Sequence, residues 1–528
     1  MMSEEPKTNY KLPILLAIIL CIGLWVGNNL SYRISPEQSN STDVQKLNDI
    51  LNLLDERYVD KINKNSVYEK TITEMLHKLD PHSNYMSAKD MKGVNESIDG
   101  KFGGIGVRFL VLRDTICVSH VIEGSPSDNA GVKAGDKIIE INGKSLQKKK
   151  METSDVMSQL KGDPGTEVAI KVLRRNLKKN ITITRDLIPI RSVSCAYMID
   201  KTTGYILIDQ FSVPTAEEFH EEAKKLKSLG MTKLVLDLRN NPGGVLSSAA
   251  DIADEFLPGG MTILKTKGRK TGEQIYNSKD GDLLEKTKVA VLINSNSASA
   301  SEILAGAIQD NDRGSIIGRR SFGKGLVQED RELRDGSNLR ITIARYYTPS
   351  GRCIQRPYSG NYEDYVKDEE RFLNGELFQA EKQKLPDSLK FRTRKGRIVY
   401  GGGGIYPDVF VPLDSTGGSF YLTELQFSGT FNAFAFDYVM DKRTKWLSAE
   451  QFANSFIVDD AILKSFCLFS SKNFKVSFVE NEFKQSKKLI SKLLKAEIGR
   501  QIWTEEGFYR VINPLDNELK EALKSLER

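Results

Sequence analysis

The sequence predicts a multidomain α/β protein whose core follows a β-rich module. Three observations predict it. The chain has 528 residues, too many for one hydrophobic core and enough for three or four units of about 100–200 residues each. From Gly204 onward, short apolar runs alternate with amphipathic stretches, the pattern of a mainly parallel sheet covered by helices. Between about Gly100 and Arg185 the pattern is instead short strands and tight turns.

Composition is ordinary for a globular protein, with 39% hydrophobic and 28% charged residues. The net charge of +6 is spread over 76 basic and 70 acidic residues, which excludes the focused basic patch that nucleic-acid binding favours. The five cysteines, Cys21, Cys117, Cys195, Cys353 and Cys467, show neither metal-ligand spacing nor a disulfide framework. No metal or cofactor is expected.

The N-terminus reads as a targeting or anchoring segment. Leu12 to Gly27 carries no charge, Lys7 and Lys11 precede it, and Trp25 suits a membrane interface. No small-x-small cleavage site follows, which favours an uncleaved anchor. The positive flank places the remaining chain outside the cytoplasm, on the periplasmic side of an inner membrane. Polar residues 28–42 form a linker. Val44 to Met86 reads as helical, from Leu47, Ile50, Leu51 and Leu54 and then Tyr68, Ile72, Met75, Leu76 and Leu79, with Asp80-Pro81-His82-Ser83 as the stop.

In the module that follows, Gly103-Gly104-Ile105-Gly106 opens a strand over Val107–Leu112. Arg113-Asp114 turns it into Thr115–Val121, and Asn142-Gly143 is a strong hairpin signal after Lys137–Ile141. A helix is expected from Ser154 to Leu160, and a last strand over Val168–Leu173. The loop 102–106, the run Ala130-Gly-Val-Lys-Ala-Gly-Asp136 and Ile141-Asn142-Gly143 together resemble a PDZ domain. The resemblance implies that a substrate's free C-terminus binds at Phe102, Gly103, Gly104, Ile105, Gly106 and Val107. Backbone N–H groups would hold its carboxylate and Val156 and Leu160 would line the side-chain pocket.

In the α/β part, strands are expected at Tyr205–Ile208, Leu234–Leu238, Val289–Ile293 and Ser315–Gly318. Helices are expected at Ala216–Leu229, Ser247–Phe256 and Ala300–Gln309, with later strands at Leu339–Tyr347 and Asp408–Val411. The chemistry concentrates after strand Val289–Ile293, where Asn296-Ser297-Ala298-Ser299-Ala300-Ser301-Glu302 leads into a helix. Chemistry in such folds sits at the carboxyl ends of strands. Three serines compete there, and a helix N-cap without chemistry is the plain alternative. Lys324 in Ser321-Phe-Gly-Lys-Gly325 supplies the base a serine needs. Its apolar and glycine flanks suit a buried, neutral amine, and Gln328 holds that amine without charging it. With only His77, His82, His120 and His220 in the chain, none near the serine run, a Ser-His-Asp triad is disfavoured. The amide of Ala300 faces a developing oxyanion, and the turn Asn241-Pro242-Gly243-Gly244 offers the second donor.

These motifs resemble the C-terminal processing, or tail-specific, peptidases. The resemblance rests on Asp237-Leu-Arg-Asn-Asn-Pro-Gly-Gly244, Ser297–Glu302, Ala305-Gly306-Ala307, Gly318, Phe322–Gly325, Gln328 and Tyr347-Thr-Pro-Ser-Gly351. Asp80-Pro81-His82-Ser83 and Gly403, Ile405, Pro407 and Asp408 add to it. It covers about residues 45–415 and implies a crotonase-like α/β core with an inserted PDZ domain. It further implies Ser299 as nucleophile, Lys324 as general base, Gln328 positioning the lysine, and an oxyanion hole of Ala300 with Gly243 or Gly244. The expected organisation is an anchor and linker at 1–38, a helical segment at 39–88, the PDZ domain at 89–188 and the peptidase core at 189–415. Residues 416–528 form a helical extension without a motif. The expected function is a serine endopeptidase of the cell envelope that takes polypeptides through their C-termini, with an adaptor protein and self-association as further partners. The alternatives are a PDZ adaptor or chaperone with a silent core, or an acyl-CoA enzyme of the same core fold.

Overall fold

The computed structural model describes residues 20, 42–146, 152–280, 283–366, 369–382 and 387–528. The expected anchor at 12–27 lies almost wholly outside the described residues. Among those described, no helix is long and apolar enough to cross a membrane. The chain divides into two units, Met1–Ile72 and Thr73–Arg528.

In the first unit the expected single helical stretch is broken. Helix Thr42–Arg57 ends on a basic residue suited to its negative end, and a second helix starts at Lys64. That second helix closes at His77. Asn84–Met86, expected to be helical, is a strand paired with Asn338–Arg340. Three residues carry no periodicity of their own, so the partner strand decides their conformation.

The second unit is built on a six-stranded sheet. Its order is Val193–Met198, Thr203–Ile208, Lys233–Asp237, Lys288–Ile293, Gly314–Gly318 and Val409–Phe410. The first pair is antiparallel and every other pair parallel. The central strands are apolar throughout because both faces are covered. Helices Thr215–Ser228, Leu246–Asp254 and Ala300–Asp310 pack on one face around Phe219, Phe256, Ile252 and Leu304. On the other face lies the last helix of the chain, Asn517–Glu527, through Leu519, Ala522 and Leu526. That helix belongs to the core's packing, although the sequence alone assigns it to an extension beyond residue 415.

A second, antiparallel sheet stands beside the first. Strand Asn338–Tyr347 pairs with Leu326–Glu332, with Thr262–Gly268 and with Asn84–Met86, and the hairpin partner Gly272–Asn277 extends it.

The β-rich module has strands Val107–Leu112, Thr115–Val121, Lys137–Ile141, Glu167–Arg174 and Leu177–Thr184 around a core of Ile116, Val118, Val132, Ile138, Val168 and Val172. Its hairpin turns Arg113-Asp114, Asn142-Gly143 and Arg175-Asn176 all have positive φ at both residues, the geometry that matches strand twist. Val168–Leu173 is not the module's last strand as expected. It continues through Leu177–Thr184 to Asp186–Pro189, which pairs with Lys101–Gly104 and closes the neck.

Beyond residue 415 the chain forms a separate helical core. Phe431, Phe434, Phe452, Phe466, Trp446, Ile490 and Leu494 fill it. Its long helix Glu480–Ile512 is broken at Trp503 and Thr504, which have non-helical backbone angles. Gly499 and Gly507 meet across that break, and a Cβ on Gly499 would lie 2.5 Å from the Gly507 carbonyl oxygen. Only glycine allows so close a return.

Candidate active site

Ser299 stands where the strand Lys288–Ile293 gives way to the helix Ala300–Asp310. The local sequence explains why this serine differs from its two neighbours. Ser297 is fully buried, and its hydroxyl donates to the Leu238 carbonyl at 2.8 Å. Ser301 is also fully buried and donates to the Asn241 carbonyl at 3.0 Å. Both tie the serine run to the strand-end turn 238–241. Ser299 is half-buried and holds φ +54° and ψ −111°, a backbone state that costs about 1–3 kcal/mol and collects at functional sites. It lines a cavity of about 490 Å³ shared with Gly243, Gly244, Lys324, Gln328, Arg340 and Tyr346.

The strained turn is held by Glu302, three residues on. This carboxylate is fully buried. Its Oε2 accepts the Ser299 N–H at 2.8 Å and the Lys324 N–H at 2.9 Å. Its Oε1 accepts the Gly323 N–H at 2.7 Å and the Ser321 hydroxyl at 2.5 Å. One side chain therefore fastens the serine turn to the lysine turn. Burial pushes its carboxyl up to about 7, against the four hydrogen bonds that favour the charged form. Sequence reasoning gave Glu302 no role, although Ser-x-x-Glu at a helix start is the capping-box spacing.

Lys324 points into the same cavity. Its Nζ donates to Gln328 Oε1 at 2.9 Å and, among the described residues, has no ion pair. Burial, with the nearby Arg340 cation, pulls its amine down to about 8, while Glu302 and Asp80 act in the opposite sense. Among the described residues no hydrogen bond joins Ser299 Oγ to this amine; the lysine rests on Gln328. The glutamine sits on strand Leu326–Glu332, at a bulge between Val327 and Gln328. Its amide end donates to the His82 main-chain carbonyl.

The oxyanion candidates separate. The Gly243 N–H donates to Asn241 Oδ1 at 2.9 Å, so it is already engaged. Gly243 contributes closeness instead: a Cβ there would lie 2.7 Å from the Ser299 Cβ. The amides of Gly244, beside the Phe211 backbone, and of Ala300, at the helix N-terminus, are the two left for a ligand oxygen.

The expected peptide groove is only partly assembled. Gly103 and Gly104 lie in the neck strand paired with Leu187 and Asp186, and the strand at the groove edge runs over Val107–Leu112 as expected. Ile105, Val156 and Leu160 are buried in the module's core, where the short helix Thr153–Leu160 turns its apolar side inward. Phe102 is half-buried, with the Lys161 ammonium 4.5 Å from its ring centre. Gly106, at φ +78°, accepts the Ile122 N–H through its carbonyl at 3.0 Å.

Helix Ala88–Asp99 connects the two places. Val94, Ser97 and Ile98 line the cavity, and Glu96 pairs with Lys161 of the β-rich module at 2.5 Å.

Residues 202–365 match the model of peptidase family S41. Residues 103–184 match the PDZ domain, 28–90 the N-terminal domain of the activating protease CtpB, and 421–504 a family of unknown function. A carboxy-terminal-processing protease of Bartonella bacilliformis is 38% identical over 326 residues, 60% of this chain and 74% of that protein. The chain belongs to this family of serine proteases. A probable CtpA-like serine protease of Staphylococcus aureus is 34% identical over 65% of this chain and 68% of its own length. Among solved structures, a photosystem II D1 C-terminal processing protease aligns with TM-score 0.35 and 24% identity, over 69% of this chain and 92% of its own. The chain joins a match to the S41 peptidase model with a match to the PDZ model.

Proposed function

We propose that the protein cleaves polypeptides by a Ser-Lys mechanism at Ser299. The observation that carries this is the lysine: a buried amine without an acidic partner, in the serine's own cavity, pulled down to about 8. A neutral amine is the form that accepts a proton. Ser299 Oγ attacks the peptide carbonyl and Lys324 Nζ takes its proton. The resulting oxyanion is held by the Ala300 and Gly244 amides. Collapse breaks the C–N bond as Lys324 returns the proton to the leaving nitrogen. Water then attacks the acyl-serine and gives its proton to Lys324; collapse breaks the C–Oγ bond, Lys324 returns that proton to Ser299 Oγ, and the new carboxyl group leaves, losing its own proton to solvent. Gln328 keeps the amine in the cavity. The Ser299 hydroxyl and the Lys324 amine come within hydrogen-bond reach when substrate fills the site, as catalytic hydrogen bonds commonly tighten on binding.

We read the core as crotonase-like, from its largely parallel sheet with the nucleophile at a helix start. Our domain limits are 39–88, 89–188 and 189–415, with helix Asn517–Glu527 added to the core. The substrates on this reading are C-terminal regions of envelope or exported proteins. The uncharged run 12–27 and its basic flank support a site outside the cytoplasm, and the match at 28–90 supports an adaptor or self-association through the N-terminal segment. PDZ occupancy reaches the cavity through helix Ala88–Asp99, since Glu96 meets Lys161 on one side while Ile98 meets the cavity on the other.

Replacing Ser299 or Lys324 by Ala abolishes cleavage of an unstructured polypeptide followed by mass spectrometry, with the melting temperature retained. Full cleavage by either variant sinks the assignment.

A further inference from the structure

Gln328 has two chemically different ends, and which one faces Lys324 matters. The carbonyl end accepts an N–H from the amine and leaves its lone pair for the serine proton. The amide end would offer only donors and oppose the amine. In the structure the carbonyl end faces Lys324 because the amide end is taken by the His82 carbonyl. That carbonyl is held by the turn Asp80-Pro81-His82-Ser83. Asp80 Oδ1 accepts the N–H groups of His82 and Ser83, each at 2.8 Å, and its Oδ2 accepts the Ser83 hydroxyl at 2.6 Å. The turn is also fastened to the strand that carries Gln328's ladder partner. Thr342 is paired with Gln328, donates its N–H to Ser83 Oγ at 3.1 Å and its hydroxyl to Asp80 Oδ1 at 3.1 Å. The His82 ring is engaged elsewhere: its Nε2 lies 3.0 Å from the Tyr365 hydroxyl, and burial beside Lys324 keeps it uncharged.

We propose that the Asp80–Ser83 turn is a positioning element for the catalytic base, in which the main-chain carbonyl of His82 fixes the orientation of Gln328 and thereby the direction of the Lys324 lone pair. This rests on the Ser-Lys reading above. Asp80 and Ser83 stand behind the cavity lining and hold the His82 carbonyl that orients Gln328, while the Asp80 charge also reaches the amine. The family's serine and lysine are thus completed by a segment more than 200 residues upstream of them.

The charged and titratable groups around Lys324 are Arg340 with its partner Asp330, Glu302 on the helix, and Asp80 and His82 in the turn. This set makes the test selective. The Asp80 charge raises the lysine, so loss of that charge alone moves the rising limb of the pH–kcat/KM profile to lower pH. Loss of the turn lets Gln328 rotate and water reach the amine, which moves the limb to higher pH. Asp80→Ala is expected to lower kcat by about tenfold, one hydrogen-bonded link's worth, with KM little changed and the limb displaced upward. Asp80→Asn keeps an acceptor for both N–H groups and recovers most of kcat without the upward displacement. If Asp80→Ala fails to fold, Ser83→Ala removes one hydroxyl from the same turn and is read the same way, with a smaller loss. An unchanged kcat in Asp80→Ala, or a lowered kcat with an unmoved limb in Ser83→Ala, which keeps the Asp80 charge, overturns the proposal, since a merely structural turn alters the active fraction and not the base. Lys324→Ala is run beside them: if it cleaves, the Ser-Lys reading itself fails, and if it is dead while the turn variants keep kcat and profile, only the present inference does.

Discussion

The serine-lysine edge of the core and the helical region after residue 415 are stabilised in opposite ways. At the catalytic edge, polar groups do the holding. Glu302, Ser297, Ser301 and Asn241 are fully buried, and their hydrogen bonds tie three separate turns together around a strained serine. In the helical region, aromatic packing does it, with Phe452 and Phe456 at 5.0 Å and Trp446 edge-on to both. Polar networks fix geometry but fail sharply when one member is lost. Aromatic cores tolerate more, because dispersion is spread over many contacts. The difference teaches where precision is needed: on the Ser-Lys reading a hydroxyl, an amine and two amides must converge, whereas the aromatic core has only to be densely packed.

The packing of the chain's last helix gives the largest expected effect. Helix Asn517–Glu527 covers one face of the peptidase sheet. Asp516 and Glu518 neutralise Arg239, and Glu518 also meets Arg319. Deleting the helix exposes Leu207, Val235 and Leu292, takes from Arg319 its carboxylate partner and leaves Arg239 with Asp237 alone, a loss of up to about 3–5 kcal/mol where the cation stays out of water. Truncation after Pro514 is expected to give insoluble protein, measured as the soluble fraction and by circular dichroism. A soluble, active truncate breaks the claim that this helix is part of the core.

The next effect falls at the catalytic edge. Glu302→Ala leaves three buried N–H groups and one hydroxyl without an acceptor, at about 1–3 kcal/mol each. The serine turn then relaxes out of its positive-φ state. Activity is expected to drop by more than about a hundredfold, with a lower melting temperature. Glu302→Gln, which keeps acceptors on one oxygen, is expected to fall between. Equal activity of Glu302→Ala and the parent would show that the staple is dispensable.

A third effect concerns pH. With the amine at about 8, roughly a tenth of Lys324 is neutral at pH 7. Cleavage is therefore expected to rise with pH through 8 and to level off above it, a profile read from initial rates. A flat profile between pH 6 and 9 removes the neutral-lysine base.

Much of this was legible beforehand, and the reasons are local. The strand-end serine, the lysine turn and Asn142-Gly143 each carry a signal within a few residues. What the sequence hid depends on distant partners. The choice among Ser297, Ser299 and Ser301 rests on carbonyls of Leu238 and Asn241, about sixty residues away. Asn84–Met86 becomes a strand only beside Asn338–Arg340. Arg175-Asn176 makes a two-residue hairpin turn without the glycine that marks such turns, so the strand after it was invisible. The inward packing of Val156 and Leu160 follows from the PDZ core around them, which helical spacing alone does not orient.

The smallest effect, that of losing Arg113, tests how the helical region meets the PDZ module. Leu112 and Cys117 of the module pack with Ala433 and Phe436 in a joint buried cluster, and Met440 approaches Gly135. At its edge Arg113 pairs with Asp437 at 2.7 Å, both partners partly exposed. Phe436→Ala empties the buried cluster and is expected to cost about 3–5 kcal/mol. Arg113→Ala removes only the exposed pair and is expected to cost at most about 1 kcal/mol, falling further in high salt. Thermal denaturation of both variants at low and high ionic strength measures the contrast. A large, salt-sensitive loss in Arg113→Ala with a small one in Phe436→Ala would mean that charge, not apolar burial, seats the PDZ module on the helical region, and would bring this contact closer in kind to the catalytic edge than to the aromatic core behind it.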